Sequence, residues 1–265
     1  MTSDQIVQAR RLVNDRFPDA LAAVLAGSAA SGRATASSDL DIAVLMPEDG
    51  ATYRETVRFE DRVVELFVHT QTGLTDIFAV DAASRRAVAQ SMYATGRVLL
   101  DPHGHGARAR ARARAKADLL DGPPALDPEA VDTKRYGLTD LLTDLTDPTD
   151  STALTDPTAP TDLADTRDRI EELAVAGAVL SAAADLLCDH RRAWVGSGKW
   201  FARRLREADG TLGQALFEGH RRLCHSGDPA LLARAAEQVL DLVGAPLSVG
   251  CRRTWRGVAE SAAGR

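Results

Sequence analysis

Three carboxylates and one glycine–serine turn carry the chemistry in this sequence. Asp39 and Asp41 sit in the run DLDIAVLM, which reads as a β-strand from Asp39 to Met46. Residues two apart on a strand share a face, so the two carboxylates stand side by side while Leu40 and Ile42 point into a core. Adjacent carboxylates repel each other unless a cation lies between them. Hard oxygen donors in that number suit Mg²⁺, which takes one or two carboxylates together with substrate phosphates. Glu65 lies in VVELFVH, a second strand from Val63 to His69. A charge within an apolar strand is costly unless it is paired or coordinated. If the two strands are neighbours, Glu65 joins the aspartates, and three carboxylates make a site for two metal ions and in-line displacement at phosphorus.

Gly27-Ser28 follows an apolar run, Leu21 to Ala26, that reads as a buried strand. The free amides of such a turn and the Ser28 hydroxyl form a phosphate cradle, and Gly27 allows close backbone approach. Ten residues separate Ser28 from Asp39. Taken singly, each feature has a plainer reading: acids that open a turn, an edge-strand charge facing water. Together they reinforce one another.

Gly27-Ser28, Ser31-Gly32-Arg33 and Ser38-Asp39-Leu40-Asp41 resemble the GS…DxD signature of the polymerase-β-like nucleotidyltransferases, nearest to the minimal and aminoglycoside nucleotidyltransferases. The resemblance is good over about residues 20–70 and looser beyond, where Tyr136–Leu145 and Gly198-Lys199-Trp200 contribute. It implies an α+β chain: a small mixed-sheet catalytic domain followed by an all-α helical bundle. It implies that Ser28 holds the terminal phosphates of a nucleoside triphosphate. Asp39 and Asp41 would bind Mg²⁺, and Glu65 would bind metal or take the proton of an acceptor hydroxyl. Glu65 stands where Asp is commoner in the family.

The implied reaction moves a nucleoside monophosphate, with ATP or another nucleoside triphosphate as donor, to a hydroxyl-bearing acceptor. A small molecule such as an antibiotic or natural-product intermediate is the first expectation. A toxin–antitoxin-type enzyme modifying protein or tRNA is the second, and a non-catalytic nucleotide-binding protein the third.

The rest of the chain must position these groups. The first hundred residues alternate helix and strand: a helix over Thr2–Phe17 with a Thr2/Gln5 capping box, the three strands above, a loop over Pro47–Asp61, a helix over Thr75–Ala94 and a short strand at Val98–Leu100. That pattern predicts one sheet covered by helices. After the Pro102–Gly106 breaker, helical patterns take over. The expected division is therefore a catalytic domain over 1–105 and a helical acceptor-binding domain over 106–265. Residues 143–165, rich in Thr, Asp and Pro, read as an acidic, disordered insertion.

Several charged residues carry two readings each. Arg33 neutralises phosphate or faces solvent. Lys199 with Arg203 reaches a triphosphate or simply starts a helix; Lys134 and Arg135 stand alike. Gly196–Lys199 fails as a P-loop because Ala193 and Trp200 occupy required positions. Asp140 and Asp144 share a helix face, as a general base or as solvated charges. His103 and His105 form a metal pair or a Gly/His linker, and His69 stands at the end of the Glu65 strand. The alternating ARARARARAK, Ala107–Lys116, is a solvated surface or a basic wall facing an anionic ligand.

The 265 residues carry 38 acidic and 32 basic side chains, a net charge of −6. That disfavours a nucleic-acid partner. Cys188, Cys224 and Cys251 form no CxxC pair and read as buried apolar residues. The polar start and the lack of a long apolar run predict a cytoplasmic protein without a membrane partner.

Overall fold

The computed structural model describes residues 3–33, 35, 38–102, 104, 106–146 and 161–251, with side chains from 4 and, in the second stretch of helix, from 169. The chain divides into two compact units, Met1–Pro124 and Ala125–Arg265.

The first unit is a mixed five-stranded sheet between helices. Its elements are α1 (Ser3–Arg16), β1 (Ala22–Leu25), α2 (Gly27–Ala30), β2 (Leu40–Leu45), β3 (Tyr53–Phe59), β4 (Arg62–His69), α3 (Gln71–Ala83), α4 (Val88–Thr95), β5 (Arg97–Leu100) and α5 (Ala107–Asp121). The strand order is β3-β4-β2-β1-β5. Among the described residues, only β2 and β4 pair in parallel; β1–β2, β1–β5 and β3–β4 are antiparallel.

Strand alternation sorts the core into two layers. Leu40, Ile42 and Val44 from β2 and Val64, Leu66 and Val68 from β4 meet Ala9, Leu12 and Val13 of α1 on one face. Ala43 and Leu45 meet Leu74 and Phe78 of α3, Met92 and Tyr93 of α4, and Ala111 and Ala115 of α5 on the other. A fully buried Leu such as Leu40 or Leu66 contributes about 1.5–3 kcal/mol over its exposed state. The sequence pattern ended this unit near residue 105, and α5 lies between that point and Pro124. Its Ala111 and Ala115 are buried in the second layer.

Two elements differ from expectation. The segment Pro47–Asp61 contains β3, an edge strand paired along its length with β4. Its hairpin turns at Glu60, with φ of 54°, and Asp61. No Asn-Gly or Asp-Gly marks that turn. Gln8 of α1 supports it instead, donating to Glu60 Oε2 at 2.6 Å and Asp61 Oδ1 at 3.1 Å. The expected helix Thr75–Ala94 is two helices broken at Ser84–Ala87, where Arg85 has φ of 57°. Asp81 Oδ2 accepts from the Ala89 amide at 2.8 Å, which gives α4 a cap from the preceding helix. Desolvation pushes the Asp81 carboxyl up from its ordinary value.

The second unit is helical: α6 (Pro128–Thr146), α7 (Thr161–His190), α8 (Lys199–Ala208), α9 (Gly210–Ser226) and α10 (Ala230–Leu242). Leu138 and Leu142 of α6, Ala183 and Leu187 of α7, Leu216 and Leu223 of α9, and Leu232 and Val239 of α10 share one core. Helices α9 and α10 approach closely at Gly219, where a β-carbon would stand 2.5 Å from the Leu232 amide nitrogen. Helix extends to Thr146 and resumes at Thr161, inside the span expected to be disordered; residues 147–160 lie outside the described residues. Of the cysteines, only Cys188 is buried; Cys224 is exposed and Cys251 half-buried. No described helix is long and apolar enough to cross a membrane.

Candidate functional site

Parallel pairing of β2 with β4 assembles the carboxylates. It sets Asp41 directly opposite Glu65, with Leu40 opposite Val64 and Ile42 opposite Leu66. The buried leucines and valines fix this register, because a one-residue slip would turn them to the wrong face. Asp39 lies just before β2. One carboxylate oxygen from each of Asp39, Asp41 and Glu65 falls within 4.8 Å of the others. Three hard oxygen donors at that spacing can hold a divalent cation.

The turn after β1 closes over this cluster. Ala26 N–H donates to the Asp41 carbonyl at 2.7 Å, joining the residue after β1 to the backbone of Asp41. Gly27 follows with φ of +63°, a conformation that favours glycine. A β-carbon there would stand 1.9 Å from Asp41 Oδ2. The sequence reading gave Gly27 the task of admitting a ligand; the structure shows it also makes room for Asp41.

Gly27 and Ser28 open the short α2, whose first-turn amides have no acceptor within the helix. Both residues are half-buried. Ser31 Oγ donates back to the Gly27 and Ser28 carbonyls, at 3.1 and 3.2 Å. Arg33 N–H donates to the Ser28 carbonyl at 3.0 Å, and Arg33 Nε to Ser31 Oγ at 3.2 Å. Arg33 is thus fastened to the same turn as Ser28, with an exposed side chain.

Arg54 is a partner of Glu65 that the sequence reading missed. It stands opposite Phe67 in the β3–β4 register. Its guanidinium lies 4.7 Å from the Phe67 ring centre, and Nη2 donates to Glu65 Oε2 at 2.7 Å. The signal was the alternation Glu55, Val57, Phe59 against Arg54, Thr56, Arg58, with the first set half-buried. Reading the segment as a loop concealed it.

Other candidates lie elsewhere. His69 is at the far end of β4, four residues past Glu65, or about 13 Å along the strand. It is buried, and its Nδ1 shares a 3.2 Å hydrogen bond with the Tyr93 hydroxyl. Desolvation lowers its pKa to about 4 and raises that of Tyr93. Lys199 belongs to the second unit, at the first position of α8, with Arg203 stacked on Trp200 at 4.9 Å. Lys134 bonds to Asp185 and Asp189 at 2.6 and 2.5 Å, and Arg135 to Asp132 and the Gly244 and Ala245 carbonyls. Those two basic residues tie the helices of their own unit. Asp140 and Asp144 are exposed on α6. His103 and His105 lie outside the described residues.

Residues 6–72 match the family model described as a nucleotidyltransferase domain. The matched span contains Gly27, Ser28, Arg33, Asp39, Asp41, Arg54 and Glu65. Among solved structures, the chain is similar to a nucleotidyltransferase-like protein from Exiguobacterium sibiricum 255-15. The two are 12% identical, the alignment covers 89% of this chain and 74% of that one, and the TM-score is 0.41. No curated protein matches the chain.

Proposed function

We propose that this chain, which carries a nucleotidyltransferase domain of the polymerase-β-like superfamily at residues 6–72, is an Mg²⁺-dependent enzyme that moves AMP from ATP to a hydroxyl of a small-molecule acceptor, such as an antibiotic or a natural-product intermediate. The observation that carries the reading is the cluster of Asp39, Asp41 and Glu65, with oxygens within 4.8 Å of one another, beneath the Gly27-Ser28 turn. That combination joins a cation site to an anion cradle, as a nucleoside triphosphate requires.

Each residue has a role in this reading. Asp39 and Asp41 would hold Mg²⁺ through their carboxylates. Glu65 would contribute a carboxylate oxygen, as a third ligand or as acceptor of the substrate's proton. Ser28 and the first amides of α2 bind the β- and γ-phosphates, and Arg33 adds charge at the turn. When bound, Mg²⁺ supplies charge neutralisation and alignment of the attacking and leaving oxygens. The acceptor oxygen forms a bond to the α-phosphorus, the bond from that phosphorus to the bridging oxygen breaks, and pyrophosphate leaves with the electron pair. Positioning and electrostatics account for most of the acceleration. The helical second unit is the acceptor-binding part of this reading.

The test is incubation of the full chain with labelled ATP, Mg²⁺ and a panel of hydroxyl-bearing acceptors, with product detected by mass. Transfer of label dependent on Mg²⁺ supports the assignment. Transfer that survives Asp39→Asn combined with Asp41→Asn overturns it.

A further inference from the structure

Helix α5 carries arginine at every second position: Arg108, Arg110, Arg112 and Arg114. At roughly 100° per residue this spacing makes two stripes, one on each side of the face where Ala111 and Ala115 are buried. The two stripes have different fates. Arg108 Nε donates to Asp101 Oδ2 at 2.6 Å, and Arg112 Nε donates to the Ala94 carbonyl at 3.3 Å, so that stripe fastens α5 to the end of β5 and to α4.

Arg110 and Arg114, one turn apart, line a cleft of about 150 Å³ between α5 and α3. Gln71 and Thr75 complete its polar wall. Arg110 Nη2 donates to Gln71 Oε1 at 3.3 Å, which aims the Gln71 amide nitrogen elsewhere as a further donor. Leu74, Phe78 and Ala111 form an apolar floor. Among the described residues, the lining holds no carboxylate, in a chain whose net charge is −6. Leu45, at the cleft's edge, is four residues past Asp41 on β2, which separates the cleft from the acidic cluster by about 13 Å along the strand.

We propose that this cleft is a second ligand site, which takes a small phosphomonoester with an apolar organic part. Two guanidiniums on one helix face match a phosphate dianion, and arginine binds phosphate through paired, charge-assisted hydrogen bonds. The apolar floor takes the organic part. The cleft's size limits that part to something compact, since drug-sized ligands occupy pockets of about 300 Å³ or more.

Phenyl phosphate and inorganic phosphate are the probes, titrated calorimetrically into the full chain with a chelator present. Phenyl phosphate is expected to bind one saturable site, about tenfold more tightly than inorganic phosphate. Arg110→Gln with Arg114→Gln weakens it at least tenfold. Both arginines are exposed, so the melting temperature stays near that of the parent. Ala111→Met fills the floor, leaves both guanidiniums, and brings phenyl phosphate down toward the inorganic value. Ser28→Ala with Arg33→Gln leaves phenyl phosphate binding intact, which separates this cleft from the turn above the acidic cluster. No saturable binding to the parent chain overturns the proposal. So does binding that survives loss of both arginines, or that disappears with Ser28 and Arg33.

Discussion

Gly27 and Asp41 share a volume that only glycine leaves open: a β-carbon at residue 27 would stand 1.9 Å from Asp41 Oδ2. The backbone there has φ of +63°, which costs a non-glycine residue about 1–2 kcal/mol. Gly27→Ala therefore strains the turn and pushes the Asp41 carboxylate out of the cluster. A displacement of about 1 Å at a reacting centre costs on the order of a hundredfold in rate. The expected result is a drop in transfer of that size with a modest fall in melting temperature. Transfer at the parent rate would show that Asp41 does not need its present position.

Replacing Asp39 and Asp41 by asparagine separates metal binding from folding. With a chelator, three carboxylates within 4.8 Å of one another repel, so two amides relieve strain and the melting temperature holds or rises. If the parent chain binds Mg²⁺ as proposed, the ion at a hundred times its dissociation constant stabilises by about 2.7 kcal/mol through mass action. The double variant loses that increment, and transfer falls by about three orders of magnitude, the several kcal/mol that a metal supplies to a developing charge. Thermal melts with and without Mg²⁺, beside a transfer assay, give both values. A variant that melts lower in chelator would mean the aspartates serve the fold.

What the sequence disclosed follows from where side chains are buried. Leu40, Ile42, Val64 and Leu66 are wholly buried, so β2 and β4 announce themselves as apolar runs, and Asp41 and Glu65 stand out within them. Their register was open to inference only as a condition, because nothing local says that β2 and β4 are neighbours. Arg54 stayed hidden for the opposite reason. It lies on an edge strand whose outward residues Arg54, Thr56 and Arg58 are polar or charged, and edge strands manage exposure with charges that look like loop composition. The break at Ser84–Ala87 was illegible because its stop signal is tertiary: Asp81 capping Ala89, and Gln90 Nε2 donating to the Phe78 carbonyl at 3.0 Å. The alternating arginines of α5 showed their period in sequence. Which stripe would be engaged by Asp101 and Ala94 depended on β5 and α4.

Arg54 competes with any cation for Glu65. Its bond to Glu65 Oε2 is 2.7 Å long, but its side chain is 62% exposed, and ion pairs so exposed contribute about 0–1 kcal/mol to stability. Arg54→Ala should therefore leave the melting temperature in chelator nearly unchanged. It removes a positive charge beside the cluster, and the Mg²⁺ midpoint should tighten by up to about fivefold, equivalent to about 1 kcal/mol. A titration followed by heat or by thermal shift reads this directly. A looser midpoint would show that Arg54 instead holds Glu65 in its coordinating position.

His69 makes the first unit sensitive to acid. It is 4% exposed, and desolvation lowers its pKa to about 4 from 6.5. The folded state therefore holds its imidazole neutral between about pH 4 and 6.5, where the unfolded chain binds the proton. Stability from this residue is complete above pH 6.5, falls as the pH drops toward 4, and falls no further below it. The full span corresponds to on the order of 3 kcal/mol. His69→Gln keeps a polar partner for the Tyr93 hydroxyl without a group that titrates in this window. Denaturant melts at several pH values should show the parent losing stability between pH 6.5 and 4 by more than the variant does. Parallel slopes for the two proteins would mean that His69 is solvated or already charged in the folded chain.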